Sequence, residues 1–188
     1  MENVSQHPVP SLAIRGEEIV AYVAVGSNIN PERNVPWALV ALARLVEIQD
    51  VSTCYRTPPL GDPSQPEFVN GVWRIATTIE PRRLKYEVLR GVESALGRVR
   101  GNDRFAPREI DLDLVLYGEL VIDEPGLILP DPEILERPFV AVPLVEIEPE
   151  LVLPGGGPRL ADAEVMKQQT DMQPLPELTE RLEEQVRR

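Results

Sequence analysis

An α+β fold, an antiparallel sheet with its helices on one face, is predicted by three observations. Apolar runs rich in β-branched residues lie near 19–25, 68–79 and 109–117, two helix-period segments separate them, and turn residues punctuate the joins. The resulting order of strand, helix, strand, strand, helix, strand is that of a ferredoxin-like plait.

Each element has its own signal. Ile19 to Val25 forms the first strand, and Gly26-Ser27-Asn28 stops it. Asn30-Pro31 or Asn34 caps a helix whose apolar positions are Trp37, Val40, Ala41, Leu45 and Ile48. Val51 to Arg56 reads as a short strand, the proline-rich Thr57 to Pro66 as a loop, and Phe68 to Ile79 as a longer strand. Pro81 opens the second helix, with Leu84, Val88, Val92, Ala95 and Leu96 on one face and Gly97 at its end. Glu109 to Tyr117 is the next strand, and Gly118 turns it into a partner around Glu119 to Ile122. With both helices on one face, the opposite face is left free for a ligand. Phe139 to Ile147 reads as a short helix, Pro154 to Pro158 as a break, and Leu175, Leu178, Leu182 and Val186 fall at helical spacing. That last helix is expected to pack on its own domain or on a partner subunit. The organisation is a tail over 1–18, one domain over 19–160 and an extension over 161–188.

Composition narrows the chemistry. Asp and Glu number 31 against 19 Lys and Arg, a formal charge of −12, which argues against non-specific nucleic-acid binding because that needs a positive field. Any anionic ligand must therefore be held by a local cluster. Cys54 is the single cysteine, and the single histidine, His7, lies in the tail. An intrachain disulfide, a thiolate metal cluster, a core Ser-His-Asp triad and a multi-histidine zinc site are all excluded. Residues 1–18 lack the pattern of a signal peptide and no apolar run is long enough to span a bilayer, so the expected location is the cytoplasm and the expected partners are small molecules, with no nucleic acid or membrane.

The cluster that remains is in RFAPREIDLDLVLYG, residues 104–118. Strand alternation puts Ile110, Leu112, Leu114 and Leu116 on one face and Asp111 and Asp113 on the other, with the aspartate Cα atoms roughly 6.5–7 Å apart. Taken alone, that pair reads as the wet side of an amphipathic strand. Arg98, Arg100, Arg104 and Arg108 precede it on a loop, and alone they read as a solvated surface. Together, a cationic loop and paired carboxylates suit a metal–polyphosphate site: carboxylates take hard divalent cations, and arginines neutralise phosphate charge. On this reading Arg108 and the aspartates flank one Mg-polyphosphate rather than pairing with each other. A second cluster sets Phe68 and Asn70 on one strand face near Thr57 and Leu60, an aromatic surface beside an amide that suits a planar heterocycle or an ordinary half-buried strand. No Walker-type glycine loop is present, and Gly26-Ser27-Asn28 is too short to serve as one.

Val23-Ala24-Val25-Gly26-Ser27-Asn28, Tyr55-Arg56-Thr57-Pro58-Pro59-Leu60-Gly61, Gly97-Arg98-Val99-Arg100 and Pro107-Arg108-Glu109-Ile110-Asp111-Leu112-Asp113-Leu114 occur in one order and spacing. In this the chain resembles the 6-hydroxymethyl-7,8-dihydropterin pyrophosphokinase family, over about Val20 to Leu160. The resemblance implies transfer of the β,γ-pyrophosphoryl group of ATP to a pterin hydroxymethyl oxygen, with release of AMP and two Mg²⁺ ions, in folate biosynthesis. It implies Asp111 and Asp113 as metal ligands, with Asp111 also near the pterin hydroxymethyl group. Arg98 and Arg108 would hold the phosphates with Arg100 in support, and Glu93 and Arg137 match positions near the nucleotide. Phe68 and Phe139 would sandwich the pterin, with Thr57, Leu60 and Asn70 at its edge. The arginine loop, with Gly101 and Asn102, is expected to close as a lid. The chain departs from the family pattern at Asp131 and Pro132, where a histidine and a nucleotide-contacting residue are usual, and at Phe105, often tryptophan. Two alternatives fit the same residues: a catalytically weak pterin- and nucleotide-binding homologue, or another two-metal transferase such as a nucleotidyltransferase. A monomer or weak dimer is expected.

Overall fold

The computed structural model describes residues 17–98, 106–168 and 171–187. His7, Arg100, Arg104 and Phe105, and the expected lid glycine and asparagine at 101 and 102, lie outside the described residues.

The central sheet is antiparallel. Strand β1 (Ile19–Ser27) pairs along its whole length with β4 (Phe68–Thr77) on one side and with β5 (Asp111–Tyr117) on the other. The far edge of β4 is shared by β2 (Glu47–Val51) and β3 (Tyr55–Thr57), where the sequence suggests one strand from Val51 to Arg56. Ser52 divides the two: its hydroxyl accepts from Val72 N at 2.9 Å, and a side chain in the ladder lets the strand break without orphaning the β4 amide. Counting β2 and β3 as one strand, the order is that of a ferredoxin-like plait.

One face of the sheet carries the main core. Helix α1 (Pro31–Leu42) and the second helical run, α2 (Pro81–Arg83), a π-helical turn over Leu84–Leu89 and α3 (Arg90–Ala95), pack there on Val23, Val25, Trp73, Ile75, Leu112 and Leu114. The buried stripe of α1 is Val35, Ala38, Leu39 and Leu42, so Trp37, Val40 and Leu45 face outward, contrary to the sequence reading, and Ile48 belongs to β2. Two apolar stripes compete on this helix, and the one containing small Ala38 allows close approach to the sheet. In the second run the buried residues are Leu84, Leu89, Val92 and Glu93, while Ala95 is exposed. The π turn adds a residue, which moves the inward position from Val88 to Leu89.

Directly after β5 the chain leaves the central sheet: Gly118 leads to a separate hairpin of β6 (Ile122–Glu124) and β7 (Leu127–Leu129). After α4 (Glu133–Glu136), helix α5 (Pro138–Ile147) crosses the second face of the sheet. Val140, Ala141 and Leu144 there meet Tyr22, Val72, Val115 and Leu116 in a second apolar cluster. That face is therefore only half open, a correction to the expectation of a free face. Leu116 reaches this cluster, instead of the main core, through a β-bulge: Tyr22 opposes Leu116 and Val23 opposes Leu114, leaving Val115 as the extra residue. Two short 3₁₀ turns (Leu160–Asp162 and Glu164–Lys167) follow. The chain ends in β8 (Gln173–Pro174) and α6 (Pro176–Val186), which buries Leu178 and Leu182 against α1 and β2 of its own fold.

Candidate active site

The open half of the second face is a pocket of about 130 Å³. Gly26 forms its floor: a Cβ added there would lie 3.0 Å from Asn70 Oδ1 and 4.0 Å from both the Asp111 Cβ and a Phe68 ring carbon, so only glycine leaves the space open.

One end is charged. Strand alternation carries Asp111 and Asp113 onto this face, while their neighbours Leu112 and Leu114 are buried behind them. Arg98 pairs with Asp111 Oδ1 and Arg108 with Asp111 Oδ2, so the arginines meet the carboxylate directly, a correction to the flanking arrangement read from the sequence. The reason is burial. The Asp111 side chain is 16% exposed and those of Arg98 and Arg108 are 11% and 19%, and a carboxylate so enclosed needs cationic partners. Burial pushes the Asp111 carboxyl up, but the charges and hydrogen bonds of Arg98 and Arg108 outweigh it and hold its pKa below the ordinary 3.8. Asp113, two residues on, goes the other way: burial, then the negative charge of Asp111, lift it from 3.8 to about 7, with Lys85 opposing and Glu93 and Asp131 adding.

The arginines are themselves held from behind. Glu93, 1% exposed, does not line the pocket; its Oε1 pairs with Arg98 and accepts from Leu112 N at 2.9 Å, tying helix, strand and guanidinium together. Asn28 Oδ1 accepts from Arg108 N at 2.7 Å, and Arg108 O accepts from Asn28 N at 3.1 Å. Ser27 Oγ donates to Glu109 O at 2.6 Å. The segment dismissed as too short for a phosphate loop is thus the bracket that places Arg108. Arg137 lines the pocket as well, and its buried Nε has no hydrogen-bond partner among the described residues.

The other end is aromatic and amide-lined. Phe68 and Phe139 both line it, with Arg108 over the Phe68 ring at 5.6 Å. Asn70 Nδ2 donates to Thr57 Oγ1 at 2.7 Å, which leaves the Asn70 carbonyl oxygen turned towards Gly26. Leu60, 41% exposed, sits at the rim. Asp131 lines the pocket too. Its Oδ1 accepts from Glu133 N at 2.9 Å, and burial raises its pKa while that bond and Lys85 oppose.

Of the residues singled out in the sequence, Thr57, Leu60, Phe68, Asn70, Arg108, Asp111, Asp113, Arg137 and Phe139 line one pocket, with Arg98 joined to it through Asp111 and Glu93 lying beneath. Gly26, Asn28, Pro58, Val115 and Glu133 were missed. The glycine at the end of an apolar strand was the available signal for close approach; the others become visible only through partners distant in sequence.

Fold and pocket define a class: a ferredoxin-like α+β protein whose open sheet face carries a charged end and an aromatic end. Residues 22–149 match the family model described as 7,8-dihydro-6-hydroxymethylpterin-pyrophosphokinase, and the chain belongs to that family. It is similar to the 2-amino-4-hydroxy-6-hydroxymethyldihydropteridine pyrophosphokinase of Haemophilus influenzae, 42% identical over 139 residues, covering 72% of this chain and 86% of that enzyme. The enzyme of the same name from Pseudomonas aeruginosa is 42% identical over 138 residues, covering 72% and 84%. That from Bacillus subtilis is 38% identical over 131 residues, covering 68% and 77%.

Proposed function

We propose that this chain transfers pyrophosphate from ATP to 6-hydroxymethyl-7,8-dihydropterin, giving AMP and the pterin diphosphate, in folate biosynthesis. One observation carries the reading: every residue lining the pocket, charged end and aromatic end alike, falls within the stretch that matches the pyrophosphokinase family.

Each end then has a task. Phe68 and Phe139 hold the pterin ring by stacking and exclude water from its faces, while Asn70, fixed by Thr57, reads its edge. Arg98, Arg108 and Arg137 bind the ATP oxygens and neutralise the negative charge that grows on them as the β-phosphorus is attacked. Glu93 and Asn28 keep two of those arginines in place, so little reorganisation is needed during transfer.

The donor set at the charged end suits Mg²⁺, two ions being proposed. Asp111 and Asp113 offer hard carboxylate oxygens on one face of β5. The ion pairs at Asp111 occupy one direction at each oxygen and leave further lone pairs to ligate. Mg²⁺ bound there would supply charge neutralisation at the phosphate oxygens. Asp131 favours the second reading, a catalytically weak homologue, because it puts another carboxylate where a polyphosphate would approach.

Among the described residues no helix is long and apolar enough to cross a membrane, and a cytoplasmic location is part of the proposal. The test is to supply the hydroxymethyl-dihydropterin with Mg-ATP and identify the nucleotide product. AMP with pterin diphosphate is the expected result; ADP would mean ordinary kinase chemistry, and binding without turnover would favour the weak homologue.

A further inference from the structure

The family match ends at residue 149, yet residues 171–187 pack against β3, the strand that carries Thr57 to the pocket. Strand β3 is only three residues long, and its inner edge pairs with β4. Its outer edge is taken by β8, with Arg56 opposite Gln173 and Tyr55 opposite Pro174. Both main-chain groups of Cys54, just before β3, are claimed by the same C-terminal segment. Cys54 N donates to Thr179 Oγ1 at 2.9 Å, and Leu175 N donates to Cys54 O at 2.8 Å. The Thr179 hydroxyl in turn donates to Leu175 O at 3.0 Å, which fixes its lone pair towards Cys54. Cys54 and Thr179 are 1% and 8% exposed, so water does not readily replace these bonds. Leu178 and Leu182 anchor the helix in the main core.

We propose that the C-terminal segment is a positioning clamp for β3, and that Thr179 at its centre sets the affinity of the pocket for the heterocyclic substrate. Three residues beyond Cys54, Thr57 accepts the Asn70 amide, and Pro58 and Leu60 continue that wall. A shift of β3 therefore turns Asn70 and moves the rim together. The phosphate end stands on β5, at the opposite end of the strand order from β8, and is braced by Glu93 and Asn28. The clamp consequently acts on one substrate and not on the other.

This inference rests on the pyrophosphokinase reading, and its test separates the two. In Thr179→Val the hydroxyl is lost with little change of volume. The KM for the pterin is expected to rise about five- to tenfold, with the KM for ATP within about twofold of wild type, and Thr179→Ser is expected to restore the wild-type value. Amide exchange at Tyr55 and Thr57 is expected to quicken in the valine variant. Gln173→Pro, at the exposed strand, cuts the same ladder without entering the core and serves if Thr179→Val does not fold. An unchanged pterin KM, or equal losses for both substrates, overturns the clamp while leaving the function standing. A wild-type protein without pyrophosphate transfer overturns the functional reading instead; unaltered exchange at β3 in the variants then overturns the clamp as well, and quickened exchange upholds its structural half.

Discussion

The two ends of the pocket are built by opposite means. At the charged end, side chains meet side chains: Arg98, Arg108 and Asp111 form a buried set, with Glu93 behind it. At the aromatic end, placement comes from backbone register, since Phe68 and Asn70 lie opposite Thr57 and Tyr55 in the β3–β4 ladder. The difference teaches that the charged end is sensitive to the loss of any one charge, whereas the aromatic end is sensitive to small displacements of strands. Four experiments bear on that contrast.

The largest effect is expected from Asp111→Ala. Turnover should fall by about a thousandfold or more, because the variant loses a proposed metal ligand and the carboxylate that Arg98 and Arg108 share. Circular dichroism should show the fold retained, since Glu93 still holds Arg98; near-normal turnover would remove the metal assignment.

Next comes Asn70→Ala. Its amide holds Thr57 and faces the pocket, so the KM for the pterin should rise about 10- to 100-fold while that for ATP barely moves. If the ATP constant moved equally, the two ends would not be independent. Gly26→Ala places a methyl group on the floor, 3.0 Å from Asn70 Oδ1, and should weaken pterin binding by about tenfold by calorimetry, with a smaller loss of melting temperature. Binding as tight as wild type would show that the ligand does not reach the floor.

The smallest effect is on stability against pH in protein stripped of divalent ions. The Asp113 pKa is raised from 3.8 to about 7, so the stability that its protonated form provides is fully present below about 4 and lost as pH rises through 7. Asp113→Asn cannot ionise. The melting temperature of the variant relative to wild type should therefore climb between pH 5 and 7, and a constant difference across that range would refute the raised pKa of Asp113.

These residues also show what could be read in advance. Strands β1, β4 and β5 were legible because each is long enough for alternation to declare its faces, and Asp111, Asp113, Phe68 and Asn70 followed from that alternation. Arg98 and Arg108 could be named, but not their direct pairing with Asp111, because burial is set by the whole fold. Two apolar stripes on α1 left its inward face undecided, and the π turn before Arg90 is a change of period that local pattern does not announce. Strand β8 was invisible for a simpler reason: Gln173 and Pro174 have no strand character of their own, and only the bare edge of β3 makes them one. Asn28 was discounted as part of a failed motif, since its partner lies 80 residues away.

The extra residue in β5 has a reach beyond its own strand. By adding Val115 beside Leu116, it thickens the sheet's second face at one spot, and α5 rests on that thickening through Val140, Ala141 and Leu144. The main-chain oxygen of Val115 also receives Asp131 N at 2.9 Å, tethering the turn that leads into α4 and α5. The bulge thus works as a spacer beneath α5. It fixes how far Arg137 and Phe139, at the leading end of α5, stand from the aspartates and Phe68 across the pocket.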